Sequence, residues 1–273
     1  MSAMSLVLAS EGEGFTAPGP IDFEFPPIPG LGFGTEILGA DGITKPMALL
    51  VLGGILTFVL LRAAAGKGAM VPGRVQYVGE MGYSFVRNTL GRDVIGNERF
   101  LAYVPLLVTL FFFILINNVF AAVPLLQFPT MSRAAFPYTL AILVWFVYMG
   151  VGIKEHGLLS FLRIQTMPPG VPKLMYILLI PLEFLSNILV RPVTLGLRLF
   201  ANMFAGHLLV VLFAVGGEYL LLEASAALKP VGVLAWVMFI LIAFLELLVQ
   251  FLQAFIFTIL TALYISSSLE SEH

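Results

Sequence analysis

The chain has 273 residues, of which 59% are hydrophobic and 11% are charged, whereas soluble domains contain roughly 45–50% apolar and 25% charged residues. Together with a mean hydropathy of +1.00, this composition excludes a soluble globular domain and predicts a membrane protein. The net charge of −2 excludes a basic surface for nucleic acid, and the lack of Cys excludes disulfides, thiolate metal sites and cysteine nucleophiles.

The first segment, residues 1–46, is acidic and interrupted by Pro and Gly throughout. Its only basic residue is Lys45, against six acidic residues: Glu11, Glu13, Asp22, Glu24, Glu36 and Asp41. We therefore predict an irregular acidic N-terminal arm over 1–46, followed by a single membrane domain over 47–273.

Three apolar stretches, at 47–65, 101–123 and 136–153, approach or exceed the roughly 20 residues that a helix needs to span a bilayer. Between the first two, residues 71–99 alternate apolar positions with charged ones. This pattern predicts an amphipathic helix that lies on the membrane surface and does not span it.

Two longer apolar runs follow, with 44 residues at 174–217 and 36 residues at 231–266. An upright helix of the first length would extend about 66 Å, roughly twice the hydrocarbon thickness. Pro181 and Pro192 permit kinks, and the Gly-Gly pair at 216–217 precedes a charged segment, which predicts a turn there. Each run is therefore either two short spans or one long, strongly tilted helix.

The basic residues of the short loops predict the orientation, because Lys and Arg favour the cytoplasmic side. Six of the fourteen lie between the first two apolar stretches and three follow the third: Arg62, Lys67, Arg74, Arg87, Arg92, Arg99, Lys154, Arg163 and Lys173. These loops are predicted to be cytoplasmic. The arm, the loop with Arg133 and the turn at 216–230 then lie outside, so five membrane elements give an outer N-terminus and a cytoplasmic C-terminus.

Polar residues lie deep in the last two apolar runs, although a charge at the bilayer centre costs about 3 kcal/mol on insertion scales. Five are ionisable and four are amides: Glu183, Arg191, Arg198, His207 and Glu246, then Asn187, Asn202, Gln250 and Gln253. At about 100° per residue, one stripe of a helix holds Arg191, Thr194, Arg198 and Asn202. His207 faces the opposite way, and Glu246, Gln250 and Gln253 share a second stripe on the next element.

Structural explanations remain open for several of these residues. Asn202, Gln250 and Gln253 are explained equally well as interhelical hydrogen bonds. Glu183 and Arg191, near the predicted kink, are explained equally well as anchors at the cytoplasmic interface.

Arg198 favours a functional explanation, because a guanidinium stays protonated in proteins. It cannot carry protons, but it can hold a carboxylate ionised or block a proton path electrostatically. The alternative is an ion pair with Glu246 that only joins two helices. His207 and Glu246 can exchange protons near neutral pH. These residues therefore predict a proton path that a fixed positive charge interrupts.

A family resemblance lies in two motifs, PVTLGLRLFANMFAGH at 192–207 and ELLVQFLQAFIFTILTALYISSSLE at 246–270. They resemble subunit a of the F-type ATP synthases, the membrane stator subunit through which protons reach a rotor ring. The five-element plan and the segment INNVFAAVP at 116–124 extend the resemblance over most of the chain from about residue 47.

The resemblance implies that Arg198 is the essential arginine of the family, facing the carboxylate of the rotor ring, with Asn202 one turn on and Gln253 opposite. It implies that His207 and Glu246 line the outer proton half-channel, in an order of His and acid that is reversed in some members. The two long runs would then be near-horizontal helices wrapped along the ring, with the half-channels within 174–266.

Further residues follow from the same resemblance. Glu183 is a candidate for the acid of the inner half-channel, and Gln250 and Arg191 complete the predicted proton-translocation set. Ala121 stands where some members have Asp, which removes one outer acid. The implied partners are rotor-ring c subunits with a mid-span carboxylate, peripheral-stalk b subunits, protons and the lipid bilayer, with no nucleic acid, cofactor or metal.

The favoured interpretation is a non-catalytic, proton-translocating stator subunit of a rotary ATP synthase in a bacterial plasma membrane, with an energy-transducing organelle membrane as the alternative location. A secondary transporter with a midplane site around Arg198 is the alternative function. Against it, no inverted repeat relates the halves and the ionisable residues cluster in the last two elements. A structural membrane anchor gives no reason for buried charges.

Overall fold

The structure, a computed structural model, describes residues 15–23, 25–37, 40–65, 73–96, 99–167, 172 and 175–269. Within these residues the chain is mostly helical, and five helical stretches are long and apolar enough to cross a membrane. The predicted all-α polytopic membrane fold with five membrane elements is therefore confirmed.

Eight α-helices of nine residues or more lie in the described part of the chain. They are α1 (Lys45–Ala64), α2 (Arg74–Phe85), α3 (Val104–Val119), α4 (Ala135–His156), α5 (Leu158–Thr166), α6 (Tyr176–Phe184), α7 (Arg191–Leu222) and α8 (Lys229–Leu269). Two π-helical segments, Val86–Arg92 and Leu185–Val190, follow α2 and α6, and a short α-helical turn is at Asp93–Ile95. Short 3-10 turns lie at Pro20–Phe23, Phe100–Ala102, Thr130–Ser132 and Ala226–Leu228.

The N-terminal arm contains a β-hairpin, which differs from the irregular chain predicted for it. Strand β1 (Pro27–Ile37) pairs antiparallel with β2 (Ala40–Thr44), with Gly32 opposite Gly42 and shifts of register on both sides. The strand contains Pro27, which begins it, and Pro29, and both are tolerated because each strand of a two-stranded hairpin is an edge strand. The shifts of register are irregularities of the kind that glycines accommodate. Residues 1–14 of the arm lie outside the described residues.

The core lies where α8 crosses α3, α4 and α7. From α3 it contains Leu107 and Ile114, from α4 Val144, and from α8 Phe257 and Ile265, all with 0% exposure. Within the amphipathic segment predicted over 71–99, residues 74–95 are helical, and the Leu90 side chain is fully buried against this core. Outward-facing side chains of α1 are largely exposed, as expected for a helix that contacts lipid on most sides.

Each of the two long apolar runs forms a single helical stretch, which resolves the choice that the sequence left open. The first extends over Tyr176–Leu222, 47 residues, and the second over Ala226–Leu269, 44 residues. At 1.5 Å per residue the first is about 70 Å long, so it fits a hydrocarbon layer of about 30 Å only if it is strongly tilted.

The prolines of the first long run do not introduce a turn into the helical stretch. Pro181 lies inside α6, and Pro192 lies in the first turn of α7. Because the helical stretch is continuous, the missing N–H of Pro192 leaves the carbonyl of Ile188, four residues back, without its backbone donor. Between them, side chains of α4 satisfy carbonyl groups of the π-helical segment. Trp145 Nε1 donates to the Ile188 carbonyl at 2.9 Å, and the Tyr148 hydroxyl donates to the Asn187 carbonyl at 3.2 Å.

The turn predicted over 216–230 lies at 223–228, and α7 continues through Gly216 and Gly217 before it. The glycines instead face a closely packed neighbour. A Cβ atom added to Gly217 would lie 2.9 Å from Cδ1 of Trp236 on α8, and one added to Gly232 would lie 2.9 Å from Cγ of Leu221. The missing side chains let the ends of α7 and α8 approach each other.

Candidate functional site

The helix α7 has two distinct faces at its middle. One face is buried, with Leu195, Leu199 and Met203 at 2% exposure or less. The opposite face is exposed and contains Thr194, Arg198, Asn202, Ala205 and Leu209. Because these five residues follow the helical repeat, they form one continuous stripe, which we call the Arg198 face.

Arg198 lies at the centre of the long helical stretch, 22 residues after Tyr176 and 24 residues before Leu222. The salt bridges among the described residues join Arg99 to Glu155 and His207 to Glu246, and neither includes Arg198. The structure therefore offers no Arg198–Glu246 ion pair of the kind considered as an alternative. A mid-membrane cation facing lipid is costly, so this face calls for a protein or an aqueous environment.

His207 and Glu246 meet in the interior between α7 and α8. Nδ1 of His207 lies 3.9 Å from Oε1 of Glu246, and the two side chains are only 10% and 6% exposed. The adjacent Gly206 lies beside the carboxylate, and a Cβ added to it would be in ordinary van der Waals contact, 3.6 Å from Cγ of Glu246. The separation is too long for a direct hydrogen bond but short enough for an ion pair when the imidazole is protonated.

The imidazole of His207 is fixed from its other sides by the loop after α3. The imidazole lies against the backbone of Gln127, whose φ of 46° lies in the left-handed region. This backbone conformation is uncommon for residues other than glycine and often marks a functional position. The aromatic rings of Phe23 and Phe128 meet the imidazole almost edge-on.

Amide side chains connect the buried pair to the Arg198 face. The Gln250 amide lies beside the Glu246 carboxylate, one turn away on α8, and Gln253 lies one turn further on, also buried. Asn202 Nδ2 donates to Gln253 Oε1 at 2.8 Å, with Arg198 one turn back on α7. The structure thus brings most of the predicted translocation residues into one polar cluster between two helices.

Glu183 and Arg191 belong to a separate site. Asn187 Nδ2 donates to Oε2 of Glu183 at 2.9 Å, whereas Arg191 Nη1 donates to Ser267 Oγ at 3.4 Å. The Arg191 guanidinium also lies 5.4 Å from the centroid of the Tyr264 ring. Arg191 precedes His207 by 16 residues on α7, about 24 Å along the helix. The two polar sites are therefore well separated, with Arg198 between them.

Asn118 is a residue of this cluster that the sequence analysis did not single out. It is fully buried on α3, and its Nδ2 donates to the Gln250 carbonyl at 3.4 Å. Five buried atoms here have no hydrogen-bond partner among the described residues: Asn118 Oδ1, His207 Nδ1, Glu246 Oε1, Gln250 Oε1 and Gln253 Nε2. Buried polar atoms are normally paired, so these unpaired atoms set the cluster apart from the rest of the described interior.

Asn118 could have been found by the criterion used for the last two apolar runs, which is a polar side chain inside an apolar segment. Asn117 and Asn118 form a pair of amides inside an apolar span, where each polar side chain requires an explanation. Asn117 has a structural one, because its Oδ1 accepts from Thr130 Oγ1 at 2.8 Å. No group of three or more potential metal ligands occurs within the described residues.

The chain matches a known protein family. The family model described as ATP synthase A chain matches residues 47–266. The chain belongs to this family. Curated ATP synthase subunit a proteins align along its whole length. That of a Nocardioides species is 56% identical over 99% of both chains, and that of Pseudarthrobacter chlorophenolicus is 44% identical over 100% of this chain and 99% of its own.

A more distant subunit a, from Streptomyces lividans, is 37% identical over 96% of this chain and 91% of its own length. Membership in the ATP synthase A chain family makes the chain a subunit a of a rotary ATP synthase, with a part in proton transport and ATP synthesis. With its five candidate spans and bacterial relatives, it is a multi-pass bacterial membrane protein.

Proposed function

We propose that this subunit a is non-catalytic by itself and provides two offset proton half-channels to the carboxylates of a rotor ring. The observation that supports this most strongly is the position of Arg198. It is an exposed, permanent cation at the middle of a long helical stretch, between the buried His207–Glu246 pair and the separate site at Glu183 and Arg191.

In this proposal the His207–Glu246 pair belongs to the outer half-channel. Both groups can accept and release protons, and they lie 3.9 Å apart in a buried site. Gln250, Gln253 and Asn202 extend the polar path from the pair toward the Arg198 face. A proton taken up by the pair is handed to a ring carboxylate at this end of the face.

The site at Glu183 and Arg191 belongs to the inner half-channel. A ring carboxylate that reaches Arg198 loses its proton, because the guanidinium favours the ionised form, and the proton leaves through the inner site. The same positive charge stops protons from passing directly between the half-channels. One proton crossing about 150 mV releases roughly 3.5 kcal/mol, so ATP synthesis requires several protons, which a ring of carboxylates can supply.

The proposed partners are the c subunits of the rotor ring and the b subunits of the peripheral stalk. The Arg198 face contacts the ring of c subunits, each with a mid-span carboxylate that compensates the cation, and peripheral-stalk b subunits hold this chain static. We place the N-terminal arm outside the bacterial plasma membrane and the C-terminus in the cytoplasm, because the basic loops at 62–99 and 154–173 favour the cytoplasmic side.

The ring contact is testable by disulfide cross-linking in the assembled complex. Ala205→Cys lies on the Arg198 face, seven residues beyond the arginine and on the same side of α7. We expect it to cross-link to a Cys placed mid-span on the outer helix of the ring subunit. The control is Phe58→Cys on α1, which is 70% exposed but is expected to face lipid. Cross-linking at position 58 and none at position 205 would refute the proposed ring face.

The orientation is testable by Cys labelling, since the chain has no native Cys. A Cys replacing Gly30 in the arm is expected to react with a membrane-impermeant thiol reagent added outside. A Cys replacing Ser271, which lies beyond the described residues, is expected to react only from the cytoplasmic side. Labelling of both positions from one side would require an even number of crossings and contradict the five-element arrangement.

A further inference from the structure

The N-terminal arm reaches the buried His207–Glu246 pair through one aromatic side chain. Phe23, at the end of the 3-10 turn Pro20–Phe23, is only 6% exposed. Its ring centroid lies 4.8 Å from that of Phe204 on α7, 6.0 Å from that of Phe128 and 5.8 Å from that of His207. A segment that precedes the first membrane helix therefore contacts the imidazole directly.

The rings around His207 form a closed apolar cluster. Phe128 is 2% exposed, and its centroid lies 6.3 Å from that of the imidazole, with the planes at 83°. The plane of Phe23 meets the imidazole at 80°. Edge contacts of this kind are the favourable geometry for aromatic pairs. They restrict the orientation of the imidazole plane.

The arm is also held in place beside this cluster. Phe25 packs edge-on against Phe128 with centroids 5.0 Å apart, and the Lys45 ammonium lies 5.4 Å from the centroid of Phe25. Neither of the two phenyl rings next to His207, those of Phe23 and Phe128, can bind or release a proton. Their effect on the pair is to position the imidazole and to exclude water.

We propose that Phe23 is a positioning residue that closes the N-terminal arm over His207, so that solvent reaches the His207–Glu246 pair only when the arm opens or along the polar side chains. The functional meaning of this closure rests on the proposed role of the pair in proton transport. The closure itself is a property of the arm and can be measured separately.

The chain offers a matched control within the same arm. Phe15 packs against Tyr219 with ring centroids 5.4 Å apart and is 38% exposed. Tyr219 lies 12 residues after His207 on α7, about 18 Å along the helix. Phe15→Ala therefore removes an equal ring from the arm without changing the surroundings of the imidazole.

The test measures how fast a thiol at position 207 reacts with a water-soluble methanethiosulfonate reagent. The assembled complex carries His207→Cys and is held in nanodiscs, where both faces are accessible, and labelling is followed by mass spectrometry of this chain. Each loss of about 1.4 kcal/mol from the closed state raises the open population about tenfold. We expect Phe23→Ala to raise the labelling rate about tenfold or more, and Phe15→Ala to leave it unchanged.

An unchanged rate in assembled Phe23→Ala complexes would overturn the proposal, as would an equal increase in Phe15→Ala. If Phe23→Ala fails to assemble, Phe23→Leu decides, because leucine refills part of the volume but no longer covers position 207 with a ring. Labelling faster than in Phe15→Ala supports closure, and an unchanged rate overturns it. Failure of the proposed function would appear elsewhere, as proton pumping that survives Arg198→Ala, with the labelling result unaffected.

Discussion

Replacement of Arg198 by Ala is expected to abolish ATP synthesis while the complex still assembles. The side chain is exposed and forms no salt bridge within the described residues, so its removal costs little packing energy. What is lost is the positive charge that ionises the ring carboxylate and separates the half-channels. ATP synthesis in energised vesicles measures the loss, and passive proton leak is expected to rise.

Arg198→Lys is expected to fail as well, because an ammonium lacks the planar donor geometry of the guanidinium. Arg163→Ala is the matched control, since it removes an exposed arginine from α5, outside the proposed path, and is expected to retain synthesis. ATP-driven proton pumping at the wild-type rate in assembled Arg198→Ala complexes would contradict the proposed role.

His207 and Glu246 are expected to act as one proton-exchanging unit. General acid–base groups typically contribute about 100-fold or more to rates, so His207→Ala and Glu246→Ala should each slow ATP synthesis by at least that order. Each single variant leaves the remaining member of a pair 3.9 Å apart buried without its partner. The exchanged double variant, His207→Glu with Glu246→His, restores both groups at the same distance.

Coupled residues typically depart from additivity by about 0.5–3 kcal/mol. We therefore expect the exchanged variant to be about tenfold more active than either single variant. Glu218→Ala serves as the control, because it removes a carboxylate from α7 outside the pair. If the exchanged variant is as inactive as the product of the two single losses, with assembly intact, the two residues do not share a proton.

The membrane helices and the two faces of α7 could be predicted from the sequence because both depend on local regularities. Apolar length determines where a span lies, and the helical repeat places Arg198 and His207 on opposite sides. The structure bears out that geometry, with Arg198 exposed and His207 buried. The unusual length of the last two apolar runs was itself enough to suggest a long, strongly tilted helix as one of the two alternatives for each run.

Other features depended on partners distant in the chain. A glycine such as Gly217 is expected both in a turn and where two helices pack closely, so the sequence does not distinguish the two. In the structure it allows close packing against Trp236, 19 residues later. The hairpin in the arm depends on pairing between two strands, and the Gly and Pro residues of the arm are uncommon in strands, so the sequence did not predict it. Phe23 contacts His207 from 184 residues away, and no periodicity links two such positions.

The great length of the helical stretch Tyr176–Leu222 has a consequence for how protons can travel. A helix of about 70 Å confined to a hydrocarbon layer of about 30 Å inclines by roughly 65° from the bilayer normal, beyond the usual 0–40°. The roughly 24 Å between Arg191 and His207 then becomes a sideways displacement of about 22 Å, twice the diameter of a helix. No side-chain rotation covers that distance. In the proposed function, a proton taken up at one site and released at the other therefore needs a carrier that moves laterally within the membrane plane.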